Sequence, residues 1–378
     1  MIQTKLTKML GIKYPIIQAG MGPFGTNNLC IAAANAGALG LVSSTGLFAH
    51  MIAPELGEIF RKATGVTEEE MDDPREVLKT MYRYVLENTK KTQGIFGVNC
   101  MVSAELVGTI GNFIGASKEV RDESSDMEKR FKLLVTSAGD PLPIRQSEDL
   151  KEDLKAMRDS GLLWFHVVPS VKGAKRCEKA GVDGIIASGH EGGYHTAWDP
   201  VHSMTLIPAV AEECPNLPVV AAGGFCDGKT LVAALSLGAV GVQMGTRFLC
   251  TKESDFVEPW KAQVVKADSN ASLVARGVVG PARYLKTSAS LRLAEETALK
   301  EANLYIGKAD DLFSVPPELL TAEIEGLSAT YSGDEENKLT PGGECAGRIK
   351  DMPTVKELVE EIMSEAEKVI KNIPNFVV

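Results

Sequence analysis

Eight short apolar runs recur along the first two-thirds of the chain, each closing on small residues. They read IIQAGM (16–21), LGLVSS (39–44), FGVNCM (96–101), KLLVTSA (132–138), LLWFHVVP (162–169), GIIASG (184–189), VVAAGG (219–224) and GVQMGT (241–246). Each is too short for an independent helix and too continuously apolar for a strand with one wet face. Each therefore predicts a parallel strand buried on both faces. Helix-like segments lie between them. NNLCIAAANAGA is rich in alanine, and SVKGAKRCEKAGV and DGKTLVAALSLGAV end as a helix C-terminus feeding the next strand would. Eight such units predict an α/β fold, a (β/α)8 TIM barrel of about 250 residues. A doubly wound open sheet, which normally uses fewer strands, is the alternative.

Two intervals are too long for simple crossovers. Residues 48–93 contain TEEEMDDPREVLKTMYRYVLENTKK and predict an added helical pair. Residues 251–340 are polar with helical stretches such as ASLRLAEETALKEAN, and predict a mostly helical insertion after strand eight, packed over the barrel mouth. The tail TVKELVEEIMSEAEKVIKNI has apolar residues at helical spacing and predicts the last barrel helix. The expected organisation is a barrel from 1–250 plus 341–378, with 251–340 as a lid.

Composition narrows the partners. The chain has 378 residues, 44% of them hydrophobic, and a net charge of -10, which argues against a nucleic-acid partner. No apolar stretch approaches the ~18–20 residues of a membrane span, and the N-terminus has no signal-peptide core. The seven cysteines form no CxxC pair. A disulfide framework and a thiolate metal site are both unexpected, and a cytoplasmic location is expected.

The chemistry of a barrel sits at the C-terminal ends of its strands, and the loops after strands seven and eight often hold a phosphate. Here those ends read AAGGFCDGKT and VQMGTRF, which makes Gly223, Gly224, Gln243, Met244, Gly245 and Thr246 candidates. The first strand ends in QAGMGPFG, whose Gly20, Gly22 and Gly25 around Met21 suit a backbone lying against a flat ring, with Ala19, Gly20 and Met21 as the candidates there. Asn99, ending strand three, offers a two-faced amide to a heterocycle edge. A phosphate at one side and a flat ring at the other describe flavin mononucleotide (FMN).

The succession PIIQAGMG, GVN, AGVDGIIASGHEGGYH, PVVAAGGFCDG, LGAVGVQMGTRFLCTKES, VVGPARYL and GGECAGRI resembles the nitronate monooxygenase (2-nitropropane dioxygenase-like) family, through nearly the whole chain. That family includes FMN-dependent enoyl-acyl-carrier-protein reductases. The resemblance implies an FMN-binding barrel with a helical insertion after strand eight. The family pattern after strand six is roughly G-x-E-A-G-G-H, filled here by residues 189–195. His195 then matches the active-site histidine, and Gly189, Gly192 and Gly193 belong to the loop that approaches the flavin. Tyr194 stands where glycine is usual, and Glu344 where glutamine is typical. Tyr194 and His190 are the candidate substrate-pocket residues.

His190, His195 and His202 fall within thirteen residues, near Glu191 and Asp199. Their spacing does not fit HExxH and the loop is glycine-rich, so no metal is expected. His166 lies in an apolar run and reads as a core histidine; His50 has no context. Cys100, Cys226 and Cys250 read as small buried residues.

The expected activity is an FMN-dependent oxidoreductase. In one reading it oxidises an alkyl nitronate with O2 through the flavin. In the alternative, NADH or NADPH is co-substrate and the acceptor is an enoyl thioester or a quinone. A third reading is a non-redox barrel binding a phosphorylated metabolite. The partner is a small molecule, and a homodimer is left open.

Overall fold

The computed structural model describes residues 2–22, 25–43, 46–47, 54–102, 107–277, 280–300 and 316–376. Eleven strands run in chain order: β1 (Ile16–Gln18), β2 (Gly40–Ser43), β3 (Phe96–Met101), β4 (Phe131–Ser137), β5 (Leu163–Val168), β6 (Gly184–Ser188), β7 (Tyr194–His195), β8 (Val219–Ala222), β9 (Gly241–Met244), β10 (Ser272–Gly277) and β11 (Gly280–Leu285). Eight of them, one per apolar run, form a parallel sheet in the order β1-β9-β8-β6-β5-β4-β3-β2.

The sheet curls until β1 meets β2 at a parallel bridge between Ile17 and Leu39. Gln18 seals this seam. Its fully buried amide accepts from the Leu41 N–H at 2.9 Å and donates to the Ala19 carbonyl. Alternate side chains then serve two cores, because successive strand residues face opposite ways. Ile17, Leu41, Leu133, Val135, Phe165, Ile186 and Val220 fill the barrel, whose floor is plugged by Leu6 and Leu10 of the helix Lys5–Leu10. Val98, Leu134, Trp164, Ile185, Val219 and Val242 face the outer helices. The helix Val355–Asn372 closes the ring against the helix Gly228–Ser236, at a spacing only glycine allows: a Cβ on Gly228 would lie 2.4 Å from the Ala366 nitrogen.

The interval 48–93 contains the helices Pro54–Thr64 and Pro74–Asn88; residues 48–53, with His50, lie outside the described residues. In 251–340 the helices Glu258–Lys266, Ser288–Lys300 and Pro317–Ser332 are joined by something the helical reading did not contain, the antiparallel hairpin β10–β11. Residues 278–279 and 301–315 lie outside the described set. The hairpin takes β7 as a third strand, with Ala282 opposite His195 and Arg283 opposite Tyr194. This small sheet covers the barrel mouth. Among the described residues no helix is long and apolar enough to cross a membrane.

His166 is a core histidine. Fully buried, it takes the Thr136 hydroxyl at Nδ1 (2.7 Å) and faces the Gly139 carbonyl with Nε2 (3.2 Å), while Trp164 Nε1 donates to the same threonine at 2.8 Å. This is the pattern of a neutral ring protonated at Nε2. Burial holds its pKa down, from 6.5 to about 4. A depressed histidine pKa stabilises the fold above the unfolded value, and the contribution disappears as pH falls through the folded one. Wild type should therefore lose roughly 3 kcal/mol of stability relative to His166→Gln as the pH falls from 6.5 to 4. A difference in melting free energy that stays constant across that window would contradict the assignment.

Candidate active site

A cavity of about 670 Å³ opens at the C-terminal ends of the barrel strands and continues beneath the insertion. Its shape follows from close backbone approaches. Gly223 and Gly224 leave β8 in succession at φ +87° and +85°, a left-handed path that side chains strain to follow. A Cβ on Gly223 would lie 2.6 Å from the Gly189 carbonyl oxygen, and one on Gly224 would lie 3.2 Å from Glu191 Cβ. The loops after β6 and β8 are thus pressed together. On the other side, a Cβ on Gly20 would lie 2.3 Å from Asn99 Cβ, and one on Gly245 would lie 3.2 Å from the Met21 sulfur. The β1 loop lies flat between Asn99 and the β9 loop.

Glu191 holds the loop after β6 in place. Both its carboxylate oxygens lie 3.0 Å from the Ser203 N–H, and the Ser203 hydroxyl lies 3.0 Å from Oε2 and 2.7 Å from the Gly223 carbonyl. The Glu191 carbonyl accepts from the Glu344 N–H at 2.9 Å. Gly343 in turn donates to the Thr246 hydroxyl at 3.0 Å. The chain crosses itself so tightly that a Cβ on Gly193 would lie 2.6 Å from the Gly343 nitrogen.

Fourteen of the residues singled out in the sequence line this one cavity: Ala19, Gly20, Met21, Asn99, Gly189, Gly192, Gly193, Tyr194, His195, Gly223, Gly224, Gln243, Gly245 and Thr246. Two do not. Met244 follows Gln243 on a strand, so its side chain points the other way, into the outer core; only its carbonyl serves the site, accepting from Ala19 N–H at 3.0 Å. His190 turns its ring away from the cavity and edge-on to His202, at 5.3 Å between centroids. Its carbonyl takes the Arg283 guanidinium at 2.9 Å from Nη2. Burial, then Arg283 and His202, push the His190 pKa down to about 4, so its ring is neutral. Arg283 is itself buried and pairs with Glu344 at 3.0 Å, which gives a use to the glutamate standing where glutamine is typical.

Tyr194 has φ +64°. That left-handed conformation accounts for the glycine usual at this place, and it costs a tyrosine on the order of 1–3 kcal/mol. Its geometric effect is specific. Neighbouring side chains of an extended strand diverge, whereas the rings of Tyr194 and His195 lie with centroids 4.0 Å apart. Both line the cavity.

The insertion supplies a wall that the sequence did not reveal: Phe256, Trp260, Leu327 and Glu323. Trp260 is anchored by its Nε1–H to the Pro341 carbonyl at 2.9 Å. Their helices were legible, but not the faces turned to the site. Cys100 and Cys250 are buried, and burial pushes the Cys250 thiol up to about 12 and Cys100 higher still. Cys226 is also buried and pairs with Cys345, whose hydrogen bond lowers the Cys226 pKa. Among the described residues no group of three or more histidine, cysteine or acidic side chains is arranged to hold a metal.

The donor set fits a flavin. Gln243 Oε1 is buried without a hydrogen-bond partner among the described residues, and Asn99, close to fully buried, lines the same cavity from β3. Two carboxamides suit the polar edge of a heterocycle. The strand-end glycines, packed so closely against neighbouring loops that a Cβ has no room, line the cavity with backbone that suits a ring and a phosphate.

Comparison with known proteins agrees. The sequence model for nitronate monooxygenase matches residues 3–365. A 5-hydroxy-7a-methyl-1-oxo-octahydro-1H-indene-4-carboxyl-CoA dehydrogenase of Rhodococcus jostii is 30% identical, across 97% of this chain and 96% of its own. A probable nitronate monooxygenase of Staphylococcus aureus is 26% identical over 80% of this chain and 82% of its own. Among solved structures, FabK from Thermotoga maritima superposes with a TM-score of 0.73 at 27% identity, covering all of both chains.

The loop geometry predicts the effect of Glu191→Ala. Losing a charged acceptor from a part-buried site should cost about 1–3 kcal/mol, and hydrogen–deuterium exchange should rise in 189–195 and 341–346 together. Unchanged exchange in either segment would show that Glu191 does not join them.

Proposed function

Because the chain belongs to the nitronate monooxygenase family, we propose that this flavin oxidoreductase uses FMN to transfer hydride to or from the β-carbon of an acyl thioester. The observation that carries the reading is the continuity of the cavity. From the strand-end glycines it runs under the insertion to apolar walls at Leu249, Phe256, Trp260 and Leu327, with Tyr194 and His195 at the junction. Such a space suits a flat cofactor and an extended apolar acyl group better than a small nitroalkane. The similarity that spans the whole chain also runs to a carboxyl-CoA dehydrogenase and to FabK, an enoyl-acyl-carrier-protein reductase.

Gly20, Met21, Asn99 and Gln243 would hold the flavin ring, and Gly223, Gly224, Gly245 and Thr246 its phosphate. FMN when bound supplies hydride acceptance and donation. His195 lines the cavity beside the position assigned to the ring, where its imidazole holds and polarises the substrate oxygen and exchanges a proton with it. The insertion excludes water. NADH or NADPH is the source of electrons when the reaction runs as a reduction.

The second reading, oxidation of an alkyl nitronate with O2, is supported by the family and by the staphylococcal relatives. Anaerobic mixing distinguishes the two. On the thioester reading, an acyl- or enoyl-CoA changes the flavin redox state faster than a nitronate does. His195→Ala should keep FMN bound while turnover falls ~10²–10⁴-fold. Rapid reduction by nitronate, with no response to any thioester, would overturn the thioester reading. Near-wild-type turnover in His195→Ala would remove the histidine from the chemistry.

A further inference from the structure

Above the cavity lies a cluster of oxygen acids with no part in the chemistry assigned to His195. Glu323, on the helix Pro317–Ser332, has no solvent-exposed surface, yet it stands in the cavity wall. The Tyr284 hydroxyl donates to its Oε1 at 2.6 Å. The Tyr194 phenol reaches the same carboxylate, and the two tyrosine rings meet edge-on with centroids 6.3 Å apart. Tyr194 is half-buried and lies on the cavity, in front of a glutamate sealed behind it. The left-handed backbone at Tyr194 also sets its ring 4.0 Å from that of His195. A residue at φ +64° is held there against its own preference, which is the kind of strain that clusters at working sites.

We propose that Tyr194 and Glu323 form a proton relay that removes the α-proton of an acyl thioester in this cavity, an inference that rests on the thioester reading above. The Cα–H bond breaks toward Tyr194 Oη, and its electron pair stays on the substrate as the thioester enolate. The Tyr194 hydroxyl proton passes in the same movement to a Glu323 oxygen. Tyr194 ends neutral and Glu323 protonated. The negative charge moves from carboxylate to enolate oxygen, on the His195 side. Burial, then the Glu323 charge, push the Tyr194 phenol well above its usual range, so it keeps its proton between events and passes protons on without storing charge. Tyr284 is a positioning residue that fixes the carboxylate.

The test uses the FMN-loaded protein in D2O with octanoyl-CoA, reading α-deuterium by mass spectrometry and thioester affinity by calorimetry. Wild type should wash deuterium into the α-position. Tyr194→Phe and Glu323→Gln should each slow that exchange ~10²–10⁴-fold with the thioester Kd within about threefold of wild type. Glu323→Asp, which keeps a carboxylate one methylene shorter, should recover at least about tenfold over Glu323→Gln. Exchange at the wild-type rate in either Tyr194→Phe or Glu323→Gln would overturn the relay while leaving the thioester reading standing. A wild-type protein that neither binds nor exchanges the thioester would overturn the reading and the relay with it. If Glu323→Gln does not fold, Tyr194→Phe, which removes one hydroxyl, decides the matter alone.

Discussion

The Glu191 carboxylate on the Ser203 N–H is the contact on which the site's geometry depends. It fixes the loop after β6 against the start of the helix Ser203–Glu213, and the Ser203 hydroxyl carries that restraint to the Gly223 carbonyl at the end of β8. The two loops can approach so closely only because Gly189, Gly223 and Gly224 carry no side chain. The Glu191 carbonyl then draws in residue 344, and with it the segment that returns from the insertion to the barrel. One part-buried acid thus joins three stretches far apart in sequence. The bare backbone and imidazole that follow the sixth strand are parts of that junction.

The second constraint is the path from Gly193 to His195. Pressed against Gly343, the chain turns left-handed at Tyr194 and immediately pairs with β11. The pairing ties the insertion to the barrel mouth, and the turn directs two consecutive aromatic rings to one side. Arg283 reinforces the arrangement from the outer side. It bonds the His190 carbonyl and pairs with Glu344, so the guanidinium is satisfied without facing substrate.

The barrel was legible in the sequence because a parallel strand buried on both faces leaves an apolar run too short for a helix and too continuous for a strand with one wet face. The strand-end glycines were legible for a similar reason: two successive left-handed residues at Gly223 and Gly224 admit little else. The hairpin was not. Its third strand is the two residues Tyr194 and His195, far back in the chain inside a glycine-rich loop, and no local pattern announces such a partner. Met244 was drawn into the site by its neighbours, although strand alternation separates it from Gln243 once the register is known. His190 illustrates the same limit in a loop, where no period tells which of two nearby histidines faces inward. Glu323 left no mark at all, since a helix with acids on several faces does not reveal which one is buried.

The proposed function puts the phosphate of a bound flavin against backbone at the ends of β8 and β9. Titration of the apoprotein with FMN and with riboflavin, which differ only in that phosphate, tests it most directly. The account predicts one tight site for FMN and riboflavin binding weaker by at least about a hundredfold, the equivalent of charge-assisted hydrogen bonds to a phosphate. Equal affinity for the two, or no binding of either, would contradict it.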